Sequence, residues 1–240
     1  MSPLIVAIDG PSGSGKSTAA RGLGRRLEIP YLDTGAMYRA VGLAARDHGV
    51  SLPVRDPAAI VELADRLALD VKLTPDATLV VLDGRDVTED IRAPEISLYA
   101  SAVSAIPGVR RRLVAEQQRL GRRYGGVLEG RDIGTKVFPD TPHKFFLTAP
   151  AAVRAARRTR QLEQRGTPQP YEQVLADIEQ RDREDSSRAE SPLTLDDRYV
   201  VIDSGDKSSE EVVSEMEGVV RSRTGAEKAR SSGVSGPAGG

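Results

Sequence analysis

Residues 10–17 read Gly-Pro-Ser-Gly-Ser-Gly-Lys-Ser, a complete phosphate-binding loop of the pattern G-x-x-x-x-G-K-S. An apolar run, residues 4–8, precedes this loop and a helical pattern follows it, so the loop joins a buried strand to a helix as the motif requires. Its glycines let backbone N–H groups turn toward an anion, the Lys16 ammonium can reach the terminal phosphates, and the Ser17 hydroxyl can ligate Mg²⁺. The sequence therefore predicts a site for a nucleoside triphosphate and magnesium. The residues predicted to hold the triphosphate are Gly10, Pro11, Ser12, Gly13, Ser14, Gly15, Lys16, Ser17 and Thr18.

A Gly-Arg-Asp triplet follows a second apolar run, residues 126–129. Ligands of parallel sheets bind at the carboxyl ends of the strands, so we expect Arg131 and Asp132 to lie near the triphosphate. An earlier copy of the triplet, residues 84–86, lies in a β-rich stretch with the turn signal Asp83-Gly84. That copy is predicted to be an exposed turn.

A helix predicted from Tyr171 turns from apolar to charged along a single face. At 100° per residue Ile178, Arg181 and Asp185 share one stripe, as does Arg188 if the helix continues. Burying such charges is costly unless they are paired or bind something polar, so we expect this stripe to line a cleft. The alternative is a helix that leaves the protein body and forms solvated i, i+4 pairs. Asp182 lies off the stripe and is expected to face solvent.

Arginines on two other helices are further candidates. Within the run 110–112 only Arg110 falls on the apolar side of its helix, although a solvated basic patch is the alternative for all three residues. Arg154, Arg157 and Arg158 lie on a basic helix that ends at a Gly/Pro segment, residues 166–170. A mobile, arginine-rich flap can exclude water and neutralise a transferring phosphoryl group. The alternative, a nucleic-acid-binding helix, lacks interleaved aromatic residues.

The elements that must position these residues alternate between strand and helix, which predicts an α/β fold with a parallel sheet and helices on both faces. Residues 68–87 are β-rich with two turn signals, which predicts a small antiparallel sheet inserted into this fold. The segment 224–240 is rich in Gly, Ser and Ala and is predicted to be a disordered tail.

The composition narrows the classes of function. The chain has 240 residues, a net charge of −1, no cysteine, and two histidines far apart in sequence. Near-zero charge disfavours a nucleic-acid partner, and no apolar run is long enough to span a membrane. The absence of a secretory signal and of cysteine is compatible with the cytoplasm, which is the location we expect.

Together these motifs resemble the bacterial cytidylate kinases, a family of P-loop kinases in the nucleoside monophosphate kinase superfamily. The resemblance runs from about residue 4 to residue 221 and rests on residues 8–17, 32–39, 129–139 and 181–189. The patterns D-[ST]-G-A-x-Y-R and G-R-D-x-G-T are specific to this family, whereas many other families share the phosphate loop.

The resemblance implies transfer of the γ-phosphoryl group of ATP, with Mg²⁺, to CMP or dCMP. Residues matching the ligands of the acceptor phosphate are Thr34, Tyr38, Arg39, Arg131 and Arg188. Those matching the cytosine-reading residues are Ser101, Arg110 and Asp132, and those matching the ribose ligands are Arg181 and Asp185. The candidates for neutralising charge during transfer are Lys16, Arg131, Arg188, Arg157 and Arg158.

The chemistry of cytosine agrees with these matches. The Asp132 carboxylate can accept a hydrogen bond from the exocyclic amine, while Arg110 and Ser101 can donate to N3 and O2. Uracil places a carbonyl where that amine was and leaves the carboxylate unpaired, so we expect discrimination against UMP.

The resemblance also implies an organisation of the chain. It predicts a monomeric kinase domain, residues 1–223, with a P-loop kinase core, an acceptor-binding region that contains the β insertion, and a short helical lid. The core is about 1–38, 105–153 and 171–223, the acceptor-binding region about 39–104, and the lid about 154–170.

Three other functions were weighed against this one. A kinase for UMP or dTMP is disfavoured by the two family-specific patterns. A GTPase switch needs an N-K-x-D segment, which the sequence lacks. A nucleic-acid-dependent ATPase would use the basic helix and would bind single strands in a salt-sensitive way.

Overall fold

The computed structural model describes residues 3–188 and 190–232. The strands are β1 (Ile5–Asp9), β2 (Tyr31–Asp33), β3 (Leu69–Leu73), β4 (Thr78–Leu82), β5 (Arg85–Asp86), β6 (Gly126–Gly130), β7 (His143–Thr148) and β8 (Val200–Asp203). The helices are α1 (Lys16–Leu27), α2 (Thr34–Asp47), α3 (Pro57–Arg66), α4 (Pro94–Ser104), α5 (Pro107–Tyr124), α6 (Ala151–Gln164), α7 (Tyr171–Ser187) and α8 (Ser209–Ser232). A 3₁₀ turn spans Asp90–Arg92 and a π-helical turn spans Ile133–Val137.

Five parallel strands form the central sheet in the order β2-β6-β1-β7-β8. Asp9, the last residue of β1, lies opposite Gly130 of β6 and Phe146 of β7. The phosphate loop and the second Gly-Arg-Asp triplet therefore leave the same edge of the sheet from neighbouring strands. The predicted α/β architecture is confirmed.

Hydrophobic cores lie on both faces of this sheet because successive residues of a strand point to opposite sides. Val6 and Ile8 of β1 pack with side chains of α1 and α8, including Leu23 and Met216. Ala7 belongs to the opposite core, which contains residues of α2, α3, α4 and α5. The sheet is therefore covered on both faces, as the alternating elements predicted.

The predicted antiparallel insertion is present as the sheet β3-β4-β5. Asp83 and Gly84 both have positive φ angles, 48° and 83°, as a tight hairpin turn requires. Thr78 fastens the insertion to the core, since its hydroxyl donates to the Tyr31 carbonyl at 2.9 Å and accepts from the Asp33 N–H at 2.9 Å. The insertion is thus tied to β2 next to the start of α2.

Helices α6 and α7 pair through a small core of their own, built around Ala155, Leu162, Val174 and Ile178. The apolar half of the stripe predicted on α7 is therefore buried against α6. This core is separate from the two that cover the sheet.

The structure corrects the predicted start of a disordered tail at residue 224, because α8 continues to Ser232. Residues 226–230 are Ala, Glu, Lys, Ala and Arg, all strong helix formers, and no proline interrupts them. The rest of the predicted tail, residues 233–240, lies outside the described residues. Across the described chain, no helix has both the length and the apolarity needed to cross a membrane.

Candidate active site

The phosphate loop between β1 and α1 depends on glycine at positions where a side chain would not fit. A Cβ atom on Gly10 would lie 2.1 Å from the carbonyl oxygen of Leu147 in β7, and the φ angle of Gly10 is 145°. Gly13 and Gly15 also have positive φ angles, 77° and 90°. The loop is therefore pressed onto the neighbouring strand with its backbone in conformations that L-residues rarely adopt.

A side chain of the loop itself and side chains from two distant segments hold this loop in place. The Ser14 hydroxyl donates to the Pro11 carbonyl at 3.0 Å. The Ser204 hydroxyl, after β8, donates to the Ser14 carbonyl at 2.9 Å, and Arg154 of α6 donates to the Ser12 carbonyl at 3.1 Å. The loop is thus fixed by the last strand and by the helix pair as well as by its own residues.

Lys16 is almost fully buried and its ammonium donates to the Pro11 carbonyl at 2.6 Å. Burial and the nearby Arg131 guanidinium lower the pKa of Lys16 to about 7. Two cationic side chains thus approach each other at the strand ends, where an added anion would stabilise both of their charged forms.

Asp185 of α7 holds two of the predicted phosphate ligands. Its carboxylate accepts from Arg131 at 2.6 Å and pairs with Arg188 at 2.6 Å, and its side chain is 1% exposed. Burial alone would raise the pKa of Asp185, but the two guanidinium groups lower it below its ordinary value. The charged half of the predicted stripe therefore meets the end of β6 in buried ion pairs.

Arg110 and Asp132 form a second buried ion pair. The guanidinium donates to the Asp132 carboxylate at 2.5 Å and to the Ser104 carbonyl at 3.2 Å, and it lies 5.4 Å from the centre of the Tyr38 ring. Both side chains of the pair are nearly inaccessible, at 5% and 6% exposure. The helical geometry that singled out Arg110 as the inward-facing arginine is confirmed.

The remaining residues of the predicted acceptor site lie on α2 and α4. The Thr34 hydroxyl donates to the Glu129 carbonyl at 2.7 Å, and Arg39 donates to the Asp33 carboxylate at 2.5 Å. Ser101 is partly exposed and its hydroxyl donates to Glu184 of α7 at 3.4 Å. The Ser101–Glu184 contact bridges the acceptor-side helix α4 and the lid-side helix α7.

The arginines of α6 separate into distinct environments. Arg154 is almost fully buried and its donors reach the Ala149 carbonyl, the Ser12 carbonyl and Asp182. Arg157 donates to the hydroxyl and carbonyl of Ser204 at 3.0 and 2.5 Å. Arg158 donates at 2.7 Å to Gln161 on its own helix. Arg154 and Arg157 thus have partners on other elements, whereas Arg158 has none there among the described residues.

An open cavity of about 1100 Å³ separates these elements. It exceeds the roughly 300–1,000 Å³ of a typical single-ligand pocket, so it has room for two nucleotides. The Arg110–Asp132 and Arg131–Asp185–Arg188 groups do not line this cavity. Their side chains form ion pairs with one another instead. The predicted residues that do line it are Ser12, Gly13, Gly15, Lys16, Ser17, Thr18, Arg39, Ser101, Arg157, Arg158 and Arg181.

Two buried carboxylates at this edge were missed by sequence reasoning. Asp9 is fully buried and accepts from the backbone N–H groups of Ile133 and Gly134, each at 2.8 Å. Glu129 is 4% exposed and accepts from the Tyr31 hydroxyl at 2.5 Å. The sequence does indicate them, because each is an acidic residue within or at the end of an apolar strand. A carboxylate buried at such a position needs hydrogen-bond or ion-pair partners.

Asp182 corrects a further expectation. It was predicted to face solvent because it lies off the stripe of α7, but it accepts two hydrogen bonds from Arg154 at 3.1 and 2.6 Å. The helical stripe described only the face toward the sheet. It could not include the partner helix α6, which packs on another side of α7.

Ser17 is exposed at the start of α1 and is the predicted metal ligand. The Glu129 carboxylate and the Tyr31 hydroxyl lie near it. No cluster of three or more His, Cys, Asp or Glu side chains suited to a metal occurs in the described part of the chain. An oxygen-rich site of few protein ligands suits Mg²⁺, which keeps several waters and is bound largely through phosphates.

A family model described as cytidylate kinase matches residues 6–222, most of the chain. The chain belongs to the cytidylate kinase family. The resemblance found from the motifs is therefore confirmed over nearly the same residues. The roles of individual site residues within this kinase family stay predictions.

Three cytidylate kinases are similar in sequence to this chain over nearly their whole length. A cytidylate kinase of Caldicellulosiruptor bescii is 46% identical over 216 residues, covering 90% of this chain and 95% of the relative. One from Rhodococcus jostii is 47% identical over 226 residues, covering 94% and 98%. One from Caldanaerobacter subterraneus is 46% identical over 219 residues, covering 91% and 95%.

Proposed function

We propose that this kinase transfers the γ-phosphoryl group of ATP to CMP or dCMP, giving ADP and CDP or dCDP. The proposal is carried by two cationic side chains that lie close together, each following one of two neighbouring parallel strands. Lys16 follows β1, Arg131 follows β6, and Asp9 and Gly130 of these strands are in register. A donor phosphate at the loop and an acceptor phosphate at Arg131 would meet there.

The donor ATP would bind along the phosphate loop, residues Gly10 to Thr18. Lys16 would contact its terminal phosphates, and the positive end of α1 would face them. Ser17 would hold Mg²⁺, which would supply neutralisation of the phosphate charge. Glu129 lies beside Ser17, and as an oxygen acceptor it suits a water of the hydrated ion better than Asp132, which is paired with Arg110.

The acceptor phosphate would be held by Arg131 and Arg188, which Asp185 orients, together with Arg39, Thr34 and Tyr38. The acceptor phosphate has a second pKa of about 6, so it is already largely a dianion at neutral pH and needs no general base. Catalysis is then the in-line positioning of two nucleotides and the neutralisation of charge between them.

The base of the acceptor would be read by Asp132, Arg110 and Ser101. Asp132 forms an ion pair with the Arg110 guanidinium, and a carboxylate can only accept hydrogen bonds. An acceptor-only carboxylate favours the cytosine amine over the uracil carbonyl. Arg181 and Asp185 would hold the ribose of the same nucleotide.

The helix pair α6–α7 would serve as the lid over this site. Arg158 and Arg181 line the cavity, and burial together with neighbouring arginines lowers the pKa of both. Guanidinium groups that repel each other in this way would be stabilised by a phosphoryl group between them. The acceptor-binding region, about residues 39–104, would form the facing wall.

A coupled assay of ADP release tests the proposal. The purified chain with ATP and Mg²⁺ is offered CMP, dCMP, UMP, AMP, GMP and dTMP in turn. The proposal expects CMP and dCMP to be used far better than the other four. A clear preference for UMP or dTMP would assign the chain to another substrate, and stimulation only by single-stranded DNA or RNA would favour the ATPase alternative.

A further inference from the structure

The Asp9 carboxylate connects the donor and acceptor halves of the site. Asp9 ends β1 directly before the phosphate loop, and its side chain is fully buried. One oxygen accepts from the Ile133 N–H at 2.8 Å, and the other accepts from the Gly134 N–H at 2.8 Å and from the Tyr199 hydroxyl at 2.7 Å. A single side chain thus binds the turn that follows Arg131 and Asp132.

Two of these hydrogen bonds cap the start of a helical turn. Ile133 and Gly134 begin the π-helical turn Ile133–Val137, and the first N–H groups of a helical turn lack partners within it. An aspartate immediately before such a turn commonly caps these donors with its own carboxylate. Asp132 occupies that place, yet it makes no such capping bond and pairs with Arg110 instead.

We propose that Asp9 is a positioning residue for base selection, because it caps the turn after β6 in place of Asp132 and so leaves Asp132 for the acceptor base. The inference rests on the proposed function, in which Asp132 reads cytosine. It assigns a role in acceptor specificity to a residue that directly precedes the phosphate loop in the sequence.

Tyr199 also binds the carboxylate, at the oxygen that accepts from the Gly134 N–H. Its hydroxyl donates to Asp9, and a Cβ atom on Gly134 would lie 2.5 Å from that hydroxyl. Glycine at 134 therefore lets the tyrosine reach the carboxylate beside the turn. Tyr199 contacts Asp9 without contributing to either capping bond, which makes it a matched control.

Asp9→Asn is the decisive variant. An asparagine has one carbonyl oxygen, so its amide group would face one of the two turn N–H donors and lose that bond. Asp132 would then be drawn toward the uncapped turn. We expect the ratio of kcat/KM for CMP to that for UMP to fall about tenfold or more, while KM for ATP changes less than about twofold. Tyr199→Phe should leave the CMP/UMP ratio within about twofold of the wild type.

A double-mutant cycle separates positioning from general damage. If Asp9 acts through Asp132, the variant D9N/D132N should show no further loss of the CMP/UMP ratio than D132N alone. Additive losses would overturn the inference, as would an unchanged ratio in D9N or an equal loss in Tyr199→Phe. Thermal unfolding checks that D9N folds. If it does not, Asp9→Glu, which keeps the charge but displaces the oxygens by one methylene, is scored by the same ratio.

The failure of this inference is distinct from that of the proposed function. A wild-type chain that does not prefer CMP would overturn the proposed function and, with it, the selection role of Asp9. Hydrogen exchange of the Ile133 and Gly134 amides tests the cap without any substrate. We expect these two amides to exchange faster in D9N than in the wild type, and equal protection would overturn the capping role.

Discussion

Asp132 and Asp185 are both almost fully buried, and both carboxylates form ion pairs with arginines. Removing one member of a buried ion pair costs more than the pair itself contributes, because the remaining charge is left uncompensated. These arginines and carboxylates are therefore fixed in orientation before any nucleotide arrives. At the scale of single residues, the site is therefore organised by buried ion pairs in which a carboxylate orients a guanidinium group.

Lys16→Ala tests the donor side. The ammonium makes one hydrogen bond within the loop, to Pro11, so its removal should leave the melting temperature nearly unchanged. Loss of a group that stabilises transition-state charge typically costs about 10²–10³ in turnover, and we expect a fall of at least that order in kcat. Lys72→Ala on exposed β3 is the control and should keep full turnover. Near-normal turnover in Lys16→Ala would contradict the assignment.

Asp132→Asn tests reading of the base. Its amide can donate to the uracil carbonyl and no longer repels it, so we expect the preference for CMP over UMP to fall about tenfold or more. Asp86→Asn, in the exposed copy of the same Gly-Arg-Asp triplet, is the matched control and should keep the preference. Steady-state kinetics with both nucleotides decide the matter, and equal preference in the two variants would argue against Asp132 as the reader.

The pH dependence of stability tests the burial of Asp9. Burial raises the pKa of Asp9 to about 6 from its ordinary value of 3.8, against the lowering effect of its hydrogen bonds. Between about pH 4 and pH 6 the folded protein keeps a proton that the unfolded chain has released, so this group lowers the free energy of unfolding as pH rises. At about 1.36 kcal/mol per pKa unit the change is about 3 kcal/mol.

Urea denaturation of the wild type and of Asp9→Asn across this window measures that effect, because asparagine does not titrate. The stability of the wild type relative to the variant should decline from about pH 4 to pH 6 and then level off. Parallel curves for the two proteins would show that Asp9 titrates in the folded state as it does in the unfolded chain.

At the scale of elements, the periodicity of the sequence predicted most of the fold. The stripe on α7 placed Ile178 and Asp185 on one buried face because both positions depend only on helical geometry. The partners of Asp9 and Asp182 could not be predicted in this way. Ile133 lies on the turn after β6 and Arg154 on a different helix, so both contacts depend on how distant elements pack.

The arginines of α6 give a prediction at this scale. Arg157 donates to Ser204 and Gly205 after β8, so Arg157→Ala should lower the melting temperature. Arg158 bonds only to its helix neighbour Gln161 and lines the cavity, so Arg158→Ala should lower kcat with little change in melting temperature. Thermal unfolding and steady-state kinetics on the same preparations compare the two. The reverse pattern would assign the catalytic contact to Arg157.

At the scale of the whole molecule, we expect the open cavity between α4 and the α6–α7 pair to close before phosphoryl transfer, because water would otherwise compete for the γ-phosphoryl group. Leu98 of α4 lines this cavity and is 64% exposed, an apolar side chain that closure would cover. The Ser101 hydroxyl of α4 already donates a hydrogen bond to Glu184 of α7 across this gap.

Small-angle X-ray scattering measures the expected closure. An analogue that joins cytidine and adenosine through a polyphosphate should lower the radius of gyration, because it spans both halves of the cavity. ATP alone should lower it less, since it occupies only the donor half. An unchanged radius with the joined analogue would mean that the structure is already closed.

The supports of the phosphate loop have a consequence for the order in which this protein matures on the ribosome. Residues 10–17 leave the exit tunnel long before Arg154 and Ser204, which bind the loop carbonyls of Ser12 and Ser14. These partners are synthesised far later, and domains generally fold as units during translation. A nascent chain that has not yet reached Ser204 therefore carries the nucleotide motif without all the contacts that hold its shape, and we expect tight ATP binding only after residue 204 has left the tunnel.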